Sequence, residues 1–230
     1  MREVAADHPE ADVAMAFAPV GAASEVRMVG PSTVLVAWST IKVPLALAVI
    51  RTGAAADAAP DIHAALTASD NAAAGRLWQR LGSGERAASA VEVQLRRGGD
   101  RRTQVPPEVS VAGFSPFGQA KWALRDQTRF TAALPCLGGS SRVTDAMGRV
   151  VASQRWGLGS LDGARFKGGW GSTPDGYVVR QMGLVPGAKG ETAVTLQVRA
   201  GTYEQGTAIA DELAAVVRSH RRWLPVGECT

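Results

Sequence analysis

The stretch that most constrains this chain is residues 32–50, STVLVAWSTIKVPLALAVI, where an apolar, strand-like run feeds a helix beginning near Ser39. From Val43 to Ile50 no side chain is charged or polar, and a helix that is apolar all round is a buried one. Lys42, at the head of that helix, is carried into the interior, and a buried lysine calls for a reason. Ser39 precedes it by one turn, so both side chains project from one face and their heads can meet. Desolvation lowers the proton affinity of an amine, which lets it serve as general base for a neighbouring hydroxyl. Helix-start N–H groups favour negative charge, so a carbonyl oxygen attacked by Ser39 would find a donor there. Pro44 removes one N–H and leaves the Thr40 carbonyl without its usual partner, so the helix is expected to be irregular where the serine emerges.

A chain of 230 residues with 46% hydrophobic composition can bury a sizeable core, as one domain or two intimately packed lobes. Its 25 basic and 21 acidic residues leave a net charge of +4, and the basic ones are scattered or paired, as in Arg96-Arg97, Arg101-Arg102 and Arg221-Arg222. No basic stripe with interleaved aromatics appears, which argues against nucleic acid as a partner; a mild attraction to anionic polymers, cell wall included, remains. Cys136 and Cys229 are too few for a disulfide scaffold and lie outside metal-site spacing, so they either pair or stay free. No apolar run is long enough for a membrane span. The N-terminal MREVAADHPEADVAM carries acids and a proline where a signal peptide would have its apolar core.

Residues 12–20 and 25–29 read as two strands of a hairpin turning at Gly21 and residues 22–23. Residues 52–61 are a loop or weak helix, and helical pattern returns from Ile62. Ser69-Asp70-Asn71 interrupts it, with Asp70 or Asn71 as N-cap for a helix over 72–81, followed by another over 83–95. Residues 100–121 are proline- and glycine-rich without period, an irregular loop at the surface or lining a site. Helices are expected from Leu124 to Pro135 and over 144–152, the second capped by Thr144. The last third changes period: RFKGGWG, GYVVRQMGLV and TAVTLQVRA read as consecutive strands, and Tyr203 to Leu224 as an amphipathic helix. The expected fold class is α+β, an antiparallel sheet built from both termini and flanked by helices, plus a reduced helical lobe.

Three triplets stand in one order: Ser39-x-x-Lys42, Ser69-Asp70-Asn71, and Lys167-Gly168-Gly169 on a strand near the C-terminus. Together they resemble the S-x-x-K, S-D-N and K-T-G set of the penicillin-recognising serine hydrolases, most closely class A β-lactamases, and the likeness runs over roughly residues 12–224. The resemblance implies a single catalytic domain over 1–230, with an α/β lobe from about 1–50 and 160–230 and a helical lobe over about 51–159. It implies that Ser39 is acylated and that Lys42 is its base. Ser69 would relay a proton to the leaving nitrogen, Asn71 would bond the substrate amide, and Lys167 would attract a substrate carboxylate and tune Ser69. The backbone N–H groups of Ser39 and Trp170, just after Gly169, would form the oxyanion hole. It implies no cofactor and no metal, a small-molecule or peptidoglycan-peptide substrate, and a place outside the cytoplasmic membrane.

Three departures from that pattern bear on function. Gly168 stands where the family has a hydroxyl, which removes a donor for the carboxylate and weakens β-lactam binding by about tenfold or more. Arg180, on the next strand, could compensate by facing the cleft. No acid lies in VAGFSPFGQAKW before Leu124, where the resemblance places the deacylating glutamate; Glu108 sits too early. The segment between the first two motifs, Val43 to Ala68, is shorter than in the family. The expected activity is therefore a serine acyl hydrolase, DD-peptidase-like or weakly β-lactamase-like. The alternative is a catalytically weak domain of the same fold that binds cell-wall peptide or a protein partner. A Ser-His-Asp triad fits poorly, since His8, His63 and His220 lie in a terminus and on helices away from Ser39. Trp38 and Trp170 adjoin site residues and could wall a substrate side chain. The sequence leaves the oligomeric state open.

Overall fold

The computed structural model describes residues 1–22 and 25–229. In chain order it holds α1 (Arg2–Asp7), β1 (Asp12–Pro19), β2 (Arg27–Val29), β3 (Val34–Val36), α2 (Lys42–Val49), α3 (Ala59–Thr67), α4 (Asn71–Arg80) and α5 (Gly84–Arg97). There follow β4 (Lys121–Ala123), α6 (Leu124–Ala133), α7 (Ser140–Met147), β5 (Arg165–Thr173), β6 (Gly176–Pro186), β7 (Glu191–Ala200) and α8 (Tyr203–Ser219).

Five strands form an antiparallel sheet in the order β2-β1-β7-β6-β5, so N-terminal and C-terminal strands meet at the β1–β7 pairing, Met15 opposite Leu196. The alternating last third of the chain thus forms the expected sheet, and β5 is left as its edge. Of the first hairpin, residue 23 of the expected turn lies outside the described residues. The sheet carries α8 on one face, where Ile209, Leu213 and Val217 pack with Val194, Leu196 and Val198. The other face meets α6 through a second cluster with Leu124, Ala132, Leu184 and Ala193. The fold class is α+β, as the periodicities indicate.

All eight residues of α2 are buried, Lys42 included, and the helix is packed by α3, α4, α5 and α7 in the largest apolar cluster. Such a helix has no solvent face, which is why its composition is apolar on every side. The irregularity expected ahead of it is a 3-10 turn, Trp38–Ile41, so the α-helix proper begins at Lys42.

Several boundaries differ from the sequence reading. β3 pairs with β4 in a separate two-stranded sheet; at three residues each, neither shows a usable period. The helix expected over 144–152 is α7, four residues earlier: Gly139, with φ 85°, ends the preceding turn, and Thr144 sits inside the helix with its hydroxyl on the Ser141 carbonyl. Asp70 is the N-cap of α4, accepting from Ala73 N at 2.7 Å. Cys136 and Cys229 form a disulfide that ties the C-terminal segment to the end of α6. Among the described residues, no helix is long and apolar enough to cross a membrane.

Candidate active site

The site lies where the edge strand β5 runs against the 3-10 turn carrying Ser39. A Cβ placed on Gly169 would come within 2.8 Å of Ser39 N and 3.0 Å of the Ala37 carbonyl oxygen, so glycine here is a condition for the turn and strand to meet. Gly171, two residues on and facing the same way, leaves room for the Trp38 indole. Trp38 itself has φ 47° and Ser69 φ 58°. Two of the three non-glycine residues with left-handed backbone among those described therefore stand at this site, where local strain is commonly held by surrounding structure.

Lys42 Nζ donates to the Ser69 carbonyl at 2.6 Å, to Asn71 Oδ1 at 2.7 Å and to the Asp70 carbonyl at 3.4 Å. Desolvation lowers its pKa to about 8, and the charge of Asp70 only partly opposes this. The Ser39 hydroxyl has no hydrogen-bond partner among the described residues, but Ser39 and Lys42 line one cavity. The heads share a space without touching, a looseness usual for catalytic groups without substrate.

Lys167, on β5, reaches the same cluster from the other side. Its Nζ donates to Ser69 Oγ at 2.7 Å and to the Gly168 carbonyl at 2.7 Å. It is 1% exposed, and burial, with the nearby charge of Lys42 added, holds its pKa well below the ordinary lysine value. Ser69 sits between the amines: its carbonyl serves Lys42 and its hydroxyl serves Lys167. The Asn71 amide nitrogen has no partner among the described residues and is free for a ligand.

Arg180 corrects an expectation. It is not a free cation in the cleft but is fully buried opposite Gly169, on the side where that residue has no side chain. Its Nη1 donates to the Leu35, Val36 and Trp122 carbonyls and its Nη2 to Trp122 and to Gln127 Oε1. Gln127 in turn donates to Thr40 Oγ1, which donates to the Ala37 carbonyl. This chain braces the Ser39 turn from below. The sequence reading had no signal for it, because each partner comes from a different element.

The cavity beside Ser39 measures about 170 Å³ and is lined by Trp38, Phe114, Phe117 and Trp170 with Lys42, Asn71 and Ser115. Phe114, from the irregular 100–121 loop, packs on Trp38 at 4.9 Å between centroids. Both tryptophans expected to wall a substrate do line this space. No carboxylate lines it among the described residues; Glu108 is exposed elsewhere. The slot at Gly168 is narrow, since a Cβ there would lie 3.2 Å from the Trp156 ring and 3.5 Å from that of Trp170. Trp156, buried at the foot of the loop before β5, carried no sequence signal of a place near the site.

Comparison with solved structures places this architecture. The ancestral class A β-lactamase reconstructed for Gram-negative bacteria superposes with a TM-score of 0.69 at 17% identity, over 95% of this chain and 97% of that one. A second structure of the last common ancestor of Gram-negative class A β-lactamases gives a TM-score of 0.72 at 17% identity, over 96% and 98%. The protein L2 complexed with relebactam gives 0.68 at 18% identity, over 94% of each chain. No family model and no curated protein matches the sequence. The chain has the class A β-lactamase fold, the fold of the penicillin-recognising serine hydrolases, at an identity that speaks for the fold alone.

Proposed function

We propose that the whole chain is one catalytic domain, a serine acyl hydrolase that forms an ester on Ser39 and turns over slowly, like a DD-peptidase or a weak β-lactamase, on cell-wall peptide or β-lactam amides. The observation that carries this reading is the convergence of Ser39, Lys42, Ser69 and Lys167, from three distant segments, at one edge of the sheet. The fold of the comparison structures supports it.

In this mechanism the substrate carbonyl oxygen lies against the backbone N–H groups of Ser39 and Trp170. Neutral Lys42 takes the proton of Ser39 Oγ as that oxygen bonds to the carbonyl carbon. The bond to the leaving nitrogen breaks, and that nitrogen takes its proton from Ser69 Oγ. Ser69 can give it, because Lys167 donates to its oxygen and leaves its own hydrogen free. The Lys42 ammonium then restores the Ser69 proton. Water must next hydrolyse the ester, and without a carboxylate in the cavity it has no strong base to activate it. The acyl-enzyme is therefore long-lived.

One observation favours a second reading, a catalytically weak domain that holds cell-wall peptide or a protein partner: Lys42 gives its hydrogen bonds to three acceptors other than Ser39. A chromogenic acyl donor separates the two. The hydrolase releases one equivalent of leaving group per protein in a burst, followed by slow turnover, and Ser39→Ala abolishes the burst. The binding domain gives no burst and holds muropeptide equally with and without the Ser39 hydroxyl. The disulfide between Cys136 and Cys229 supports an oxidising, extracytoplasmic location.

A further inference from the structure

The cations that could fix a carboxylate beside Ser39 are already engaged by protein acceptors. Position 168 has no hydroxyl, and a Cβ there would press on Trp156 at 3.2 Å, whose ring stands edge to face with Trp170 at 5.9 Å. Lys167 is buried, does not line the cavity, and gives hydrogen bonds to Ser69 Oγ and the Gly168 carbonyl. Arg180 is locked under the Ser39 turn by four acceptors. Lys42 lines the cavity but already serves three oxygens. The Trp38 and Trp156 indole N–H groups are sealed from solvent and unpartnered, so they offer nothing to a ligand in the cavity.

Beside the polar groups of Ser39, Asn71 and Ser115, the cavity presents aromatic surface: Trp38 against Phe114 on one side, and Trp170, backed by Tyr203 at 5.9 Å, on the other. Aromatic faces carry negative potential, and a carboxylate laid on them loses water without gaining donors. An apolar group gains from the same surface.

We propose that this site needs no carboxylate beside the scissile bond: uncharged esters, thioesters or amides acylate Ser39 at least as readily as their carboxylate-bearing counterparts, their apolar or aromatic flank packing on Trp170 and on the Trp38–Phe114 pair. The proposal rests on Ser39 being the acylated nucleophile and names the substrate class for that chemistry. The step is acyl transfer: Ser39 Oγ bonds to the carbonyl carbon, the bond to the leaving oxygen, sulfur or nitrogen breaks, and the Ser39 proton ends on the departing atom.

The test uses two phenylacetylglycyl thioesters, one of thioglycolic acid and one of its methyl ester, which differ only in the leaving-group carboxylate. Acylation of the intact protein is followed by thiol release and by the mass added to Ser39. The methyl ester is expected to react with a kcat/KM equal to or above that of the acid, and Trp170→Ala to lower the methyl-ester value about tenfold with the Ser39 adduct still forming. A tenfold or greater preference for the acid overturns this proposal and leaves the acyl-enzyme standing. No adduct from either thioester overturns the acyl-enzyme and this proposal with it.

Discussion

Lys167 Nζ donates a 2.7 Å hydrogen bond to Ser69 Oγ, joining residues 98 apart in sequence. The bond leaves the Ser69 proton available for transfer and fixes the hydroxyl against Lys167. Removal of either partner should act on the same step, so the losses should not add. Ser69→Ala and Lys167→Met should each slow acylation by about 10²–10³-fold, within the range for positioned proton transfer. Stopped-flow acylation of the two single variants and the double variant checks this: the double should lose no more than about threefold beyond the worse single.

Burial brings the pKa of Lys42 to about 8, and the base must be neutral. The acylation rate should rise with pH through an inflection near 8 and level off above it, and Lys42→Ala should lose that inflection with the rate. Stability has a matching sign. A lysine with a lowered folded pKa binds fewer protons folded than unfolded between about 8 and its ordinary value of 10.5, so its contribution to stability rises with pH across that window. Urea midpoints of the wild type and Lys42→Met at pH 7.5 and 9.5 test this: the wild type should gain stability relative to the variant at the higher pH.

Arg180 binds turn, strand and helix together through its guanidinium. Arg180→Met would leave the Leu35, Val36 and Trp122 carbonyls and Gln127 Oε1 short of a donor, at about 1–3 kcal/mol for each one left unsatisfied. A loss of at least about 3 kcal/mol in urea unfolding is expected. Acylation by the folded fraction should also slow, because the brace through Gln127 and Thr40 sets the Ser39 turn.

The disulfide closes a loop across a separation of 93 residues. By chain entropy, Cys136→Ser with Cys229→Ser should cost about 4–5 kcal/mol. The cross-link lies outside the cavity-lining set, so acylation well below the unfolding midpoint should be unchanged. Thermal melts with and without reductant, alongside the burst assay, check both parts.

Much of this was legible in the sequence. Strong periodicity in β5–β7 and α8 gave their type, and the apolar ring of α2 announced a buried Lys42 before any coordinate did. Ser39, Lys42, Ser69 and Lys167 were legible because three triplets recur in order. What escaped was whatever depends on contact between distant segments. The side chain of Arg180 goes inward because Gly169, its cross-strand partner, leaves the space. Trp156 narrows the space at position 168 from a loop with no motif. β4 is three residues long, too short for a period to show, and α7 starts where a left-handed Gly139 rather than Thr144 ends the turn.

Acylation of Ser39 is tested most directly by intact-mass spectrometry after incubation with a fluorescent penicillin and, separately, with an activated phosphonate. A single adduct is expected that maps to the peptide bearing Ser39, persists for minutes or longer after excess reagent is removed, and is absent from Ser39→Ala. No adduct on the wild type, under conditions that label a class A β-lactamase carrying no deacylating glutamate, or an adduct that survives in Ser39→Ala, would contradict it.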